Sequence, residues 1–107
     1  MRVNWADEAR ADLRDILDYL YRTFGSKARR KALVGLKRSI RLLKHFPLLG
    51  KPCFEDTALG LPYRVLVSKY YQLVYYIEDD TLIIVALWDS RKDPGRLRNR
   101  LNESEDG

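Results

Sequence analysis

The sequence predicts an α+β fold of order β-α-α-β-β-β, a helical hairpin packed on an antiparallel sheet. Three observations predict it. The N-terminal half carries two stretches whose apolar residues recur at intervals of three and four; Gly25 separates those stretches; and three β-rich runs lie almost end to end between Tyr63 and Trp88.

Arg2-Val3-Asn4-Trp5 reads as a short strand leading into the first helix, whose stripe is Ala9, Leu13, Ile16, Leu17, Leu20 and Phe24. Asp7 and Glu8 fall in its first turn, where carboxylates meet the positive end of the helix dipole, and Asn4 is the candidate cap. Gly25 stops this helix, Ser26 is placed to cap the next, and a stripe of Ala32, Leu33, Leu36, Ile40, Leu43 and Phe46 runs to Pro47. So short a connection makes the helices antiparallel neighbours. Leu48 to Leu61, with Gly50, Pro52 and Gly60, has no sustained period and reads as a loop.

Tyr63–Ser68, Tyr71–Ile77 and Thr81–Trp88 then read as an antiparallel meander, with Glu78-Asp79-Asp80 as a polar tip. Both faces carry apolar residues: Leu73, Tyr75 and Ile77 alternate with Val74 and Tyr76, and Leu82, Ile84 and Ala86 with Ile83, Val85 and Leu87. The hairpin buries one face. The other is left for a protein partner, or for the chain's own tail and long loop to cover. After Pro94, the run Arg96-Leu97-Arg98-Asn99-Arg100-Leu101 permits a helical turn or an extended piece. Residues 1–101 are expected to form one domain, and 102–107 a frayed polar, acidic tail.

The composition excludes several classes. At 107 residues the chain buries about two thirds of its unfolded surface as a single domain. Its longest apolar run, Leu82–Trp88, is far short of the about 20 residues that span a bilayer, and no leader-like block opens the chain, so a cytoplasmic protein without a membrane partner is expected. One cysteine, Cys53, and one histidine, His45, leave no basis for a disulfide framework or a metal cluster, and no cofactor is expected.

The net charge of +5 is unevenly placed. Residues 1–18 hold three basic and five acidic side chains, whereas residues 19–54 hold ten basic ones, Arg38 and Arg41 among them, and no acid. Such a block sets up a local positive potential that attracts an anionic partner, unless it serves only as a solvated helix face.

These residues together resemble the RelE/ParE superfamily of bacterial type II toxin–antitoxin toxins, which includes plasmid stabilisation proteins. Trp5 through Ala9, Asp12-Leu13, Ile16 and Tyr19 resemble the family's first helix, and Leu36, Ile40, Leu43, Pro47 and Gly50 the end of its second. Arg64-Val65-Leu66, Tyr71 and Leu73-Val74-Tyr75-Tyr76 resemble its central hairpin; Ile83-Ile84 and Trp88-Asp89-Ser90-Arg91 resemble its closing strand. The resemblance implies a growth-inhibiting toxin neutralised by a cognate antitoxin that is acidic where it touches the toxin.

Two actions occur in the superfamily: RelE-like cleavage of messenger RNA in the ribosome and ParE-like poisoning of DNA gyrase. RNA cleavage needs a base, a cation at the charged transition state and an acid. Gln72 stands where cleaving members carry an arginine, and no tyrosine follows Tyr76. Arg64, Lys69, Tyr70 and Arg91 are the substitute catalytic set if the chain is a nuclease; Arg64, Arg91, Lys92, Arg38 and Arg41 are the expected contacts to target or antitoxin. Arg64 could instead bridge to Glu55 or Asp89, and Tyr70 could simply cover the core edge. The departures favour the ParE-like action on gyrase. The alternatives are a ribosome-dependent mRNA endoribonuclease and a non-toxic basic nucleic-acid-binding module.

Overall fold

Residues 1–52, 62–90, 96–97 and 99–101 are described by the structure, a computed structural model. The elements are β1 (Arg2–Trp5), α1 (Asp7–Phe24), α2 (Ser26–His45), β2 (Lys51–Pro52), β3 (Arg64–Val67), β4 (Tyr71–Glu78) and β5 (Thr81–Asp89), with a helical turn at 96–97 and 99–101. The strands lie in the order β1-β5-β4-β3-β2. The α+β layering is as the sequence predicts, but the sheet is mixed: β1 runs parallel to β5, while the other pairs are antiparallel. The two-helix crossover after β1 returns the chain across one face, so a parallel edge is geometrically available.

Neither expected cap is used. Asn4 is a strand residue paired with Ile83, and Ala6 occupies the α1 N-cap without a side-chain hydrogen bond. Ser26 is the first residue of α2, whose N-cap is Gly25 at φ 94°, a conformation that suits a residue without a Cβ. Phe24 and Phe46, assigned by periodicity to the buried stripes, are exposed where each helix leaves the sheet; Phe24 rests edge-on against Tyr19.

The main core joins Ile16, Leu17 and Leu20 of α1 and Leu36 and Leu43 of α2 to Tyr71, Leu73, Tyr75, Leu82, Ile84 and Leu87 of the sheet. The strict alternation expected along β5 breaks at a register shift, where Val74 pairs with Ala86 but Tyr75 pairs with Ile84. Val85 is the extra residue. A single inserted residue inverts the facing of everything beyond it, so Leu87 joins the helical core while Ala86 and Trp88 turn to the opposite face.

That opposite face is covered in part. Leu97 and Leu101, both almost fully buried, pack with Tyr63, Val74, Ala86 and Trp88, while Tyr76, Ile83 and Val85 beside them stay half-buried along a depression of about 430 Å³ that reaches the start of α1. The C-terminal turn is held there by Arg100. β1 pairs only with Thr81 to Ile84, so the β5 backbone beyond Ile84 needs other partners on that edge. Asp12 of α1 accepts the Leu87 N–H at 3.0 Å, and Arg100 Nη2 donates to the Val85 carbonyl at 3.1 Å. The two side chains also join each other through a bidentate pair of 3.0 and 2.9 Å, with Glu8 2.8 Å from Arg100 Nε. Burial alone would lower the Arg100 pKa; the hydrogen bond to Asp12 and the charges of Asp12 and Glu8 outweigh it and hold the guanidinium above its ordinary value. The tail from 102 onward lies outside the described residues.

Two substitutions test this closure by denaturant unfolding. Asp12→Ala leaves the Leu87 N–H and a largely buried guanidinium short of acceptors and is expected to cost about 2–3 kcal/mol. Leu101→Ala is expected to cost about 2–5 kcal/mol, whereas an unpacked tail would lose less than about 0.5 kcal/mol.

Candidate partner-binding surface

Arg64 opens β3 opposite Tyr75 of β4. Its Nη1 donates to the Gly50 carbonyl at 2.8 Å and more weakly to that of Leu48 at 3.4 Å. The fully buried Tyr75 completes the knot: its hydroxyl donates to the Pro47 carbonyl at 2.7 Å and accepts the Gly50 N–H at 2.9 Å. A Cβ at Gly50 would lie 2.7 Å from the Tyr75 ring and hydroxyl, so only glycine admits this approach. Burial raises the Tyr75 pKa, while the Gly50 hydrogen bond and the Arg64 charge pull the other way and only partly offset it. Arg64 therefore fastens the segment after α2 to the sheet through backbone carbonyls; Glu55, one of the two carboxylates considered for it, lies outside the described residues.

Lys69 and Tyr70 stand beyond the other end of β3, on the turn into β4, where Lys69 Nζ lies 5.2 Å over the Tyr70 ring. The strand alone separates Arg64 from Val67 by about 10 Å, so Arg64 does not converge with the Lys69–Tyr70 pair. The Ser90 N–H donates to the Tyr70 carbonyl at 3.3 Å, which ties the end of β5 to this turn. Arg91 and Lys92, the remaining site candidates on the sheet side, lie outside the described residues, as does Cys53.

The basic block is carried almost wholly by α2, and all ten of its cations, including Arg38 and Arg41, are exposed. Along one flank α2 meets α1 and β1 in a groove of about 400 Å³, with Trp5, Leu13, Leu33 and Ile40 as apolar floor and Arg10 and Lys37 at the rim. This arrangement can receive an amphipathic segment with acidic edges. His45 is exposed at the C-terminal end of α2. Among the described residues no group of three or more His, Cys, Asp or Glu is placed to hold a metal ion, and no helix is long and apolar enough to cross a membrane.

Sequence reasoning missed Tyr75 as a hydrogen-bonding anchor, because its alternation shows burial but not the loop folded over its hydroxyl. It also missed the Asp12–Arg100 pair, for which the available signal was an aspartate beside the apolar stripe of α1.

Residues 3–94 match the family model for the ParE toxin of type II toxin–antitoxin system, parDE. Among solved structures, the chromosomal ParDE TA system from P. aeruginosa is similar at a TM-score of 0.66 and 18% identity, covering 83% of this chain and 95% of that one. At that identity the likeness is one of fold. No curated protein matches the chain.

Tyr75→Phe leaves the Gly50 N–H and Pro47 carbonyl unpaired and is expected to cost about 1–3 kcal/mol at neutral pH. Because the folded-state pKa is raised, the folded protein holds this proton more tightly than the unfolded chain does. The corresponding stability is present below the ordinary tyrosine pKa of about 10 and is lost as pH rises through the higher folded value. Unfolding curves against pH should show the wild type losing its advantage over Tyr75→Phe above about pH 10; a constant difference would contradict the assignment.

Proposed function

We propose, for a chain that belongs to the ParE toxin family of type II toxin–antitoxin systems, that it inhibits growth by acting on DNA gyrase in the cytoplasm. In this reading it is held inactive by a cognate antitoxin, and residues 1–101 form the single toxin domain. The observation that carries it is the family match, which runs from within β1 to beyond β5 and includes both long helices. The distance of Arg64 from the Lys69–Tyr70 pair supports it, Arg91 lying outside the described residues. Cleavage of RNA requires a base, a cation and an acid around one phosphate. Arg64 donates through Nη1 to the Gly50 and Leu48 carbonyls, Lys69 and Tyr70 lie beyond the far end of the strand, and Gln72 stands where the resemblance puts the arginine of cleaving members. A toxin that acts by gripping a protein needs no such convergence. It needs a surface.

The antitoxin is the natural occupant of the groove between α1 and α2. Its apolar floor supplies affinity, and Arg10 and Lys37, with the exposed cations of α2 beyond, accelerate association with an acidic segment. Arg38 and Arg41 serve as contacts in this reading, with Arg91 and Lys92 as further contacts to the target.

Adding the purified chain to gyrase and relaxed plasmid should inhibit supercoiling or trap cleavage complexes, and the antitoxin encoded beside it should reverse the effect. A folded sample that leaves gyrase untouched and cuts messages on translating ribosomes would replace this reading with the nuclease one.

A further inference from the structure

Gly35 stands near the middle of α2, and nothing inside the fold accounts for it. Glycine destabilises a helix interior relative to alanine, and its missing Cβ lets a neighbour come close to the backbone. A Cβ added at Gly35 would meet nothing within 4 Å, so no other element of the described chain occupies the space.

The surroundings say what kind of neighbour fits. Two shallow depressions, of about 340 and 210 Å³, share Lys31 and Gly35. The first continues along α2 to Val34 and Arg38; the second crosses to Lys69 and Tyr70 on the turn before β4. Lys31, Arg38 and Lys69 are exposed, and none has a carboxylate partner among the described residues. Val34 is 52% exposed, which sets an apolar contact between the charges. Tyr71 also lines the second depression, and its buried hydroxyl has no hydrogen-bond partner among the described residues.

We infer that Gly35 is a close-approach point where an acidic segment of a protein partner packs its backbone onto α2, its carboxylates reaching Lys31, Arg38 and Lys69. A polypeptide fits better than a nucleic acid. A phosphate backbone is held by cations and hydrogen-bond donors and gains nothing from an exposed valine, whereas a protein interface combines an apolar centre with a charged rim. The inference rests on the functional reading above, in which the partner with this chemistry is the antitoxin, and it extends that contact from the groove around α2 to the helix's other face.

The test is a calorimetric titration of the antitoxin encoded beside this chain into the wild type, Gly35→Ala and Gly35→Leu, with thermal melts of each. Both substitutions should raise Tm, alanine by about 4–8 °C, because they improve helix propensity in open space. Gly35→Leu should nonetheless weaken binding at least tenfold, a combination that loss of structure would not produce. If Gly35→Leu does not fold, Gly35→Ala carries the test, with threefold weakening expected. Wild-type binding that both variants leave within twofold overturns this inference alone, and absence of wild-type binding overturns the functional reading with it. A short DNA duplex that binds the wild type and loses affinity in Gly35→Leu would make the occupant a nucleic acid and overturn the assignment.

Discussion

The ion pair between Asp12 and Arg100 is the constraint on which the arrangement of this molecule depends. β5 is the longest strand and β1 covers only its first four residues, so the remaining backbone on that edge lacks a strand partner. Asp12 and Arg100 supply the acceptor and donor that β1 does not, and by joining each other they bring the C-terminal turn onto the sheet. The same contact therefore satisfies a polar edge and places Leu97 and Leu101 over an apolar face. With side-chain exposures of 14% and 21%, Asp12 and Arg100 are far enough from water for their pairing to matter, and their bidentate geometry meets the condition under which a partly buried pair offsets its desolvation.

A second knot works at the opposite side of the sheet. Tyr75 and Arg64 bind the chain leaving α2 to β3 and β4, so both ends of the helical hairpin are anchored by side chains that satisfy backbone groups. The outer surface of α2 stays exposed with its cations. Function in this reading follows from which surface is left over after the polar accounts are closed. A protein so built offers charge and shape to a macromolecular partner, and steering by its positive potential raises encounter rates without any reacting group.

Much of the fold was legible in the sequence, and the unread parts share a cause. The helices declared themselves by intervals of three and four, and β4 by alternation that the structure keeps from Tyr71 to Ile77. β5 is apolar at nearly every position, so its pattern held no contrast by which to detect the bulge at Val85. The parallel edge, the tail over the second face and the Asp12–Arg100 contact join residues distant in the chain, which local periodicity does not register. Arg64 was visible as a residue with a role, but its partners are carbonyls of a loop whose path sequence does not encode locally. Gly35 went unread because the apolar stripe of α2 runs past it unbroken; the open space beside it became apparent only from the structure.

When the partner docks on the α2 side, the C-terminal turn stays in place on the other face. Amide hydrogen exchange of the chain, free and bound to its antitoxin, tests it most directly. New protection is expected along α2, with amides of Val74, Trp88, Leu97 and Leu101 unchanged by binding. Protection gained at Val74 and Trp88 together with faster exchange at Leu97 and Leu101 would mean that the partner displaces the tail and takes the second face, and would contradict it.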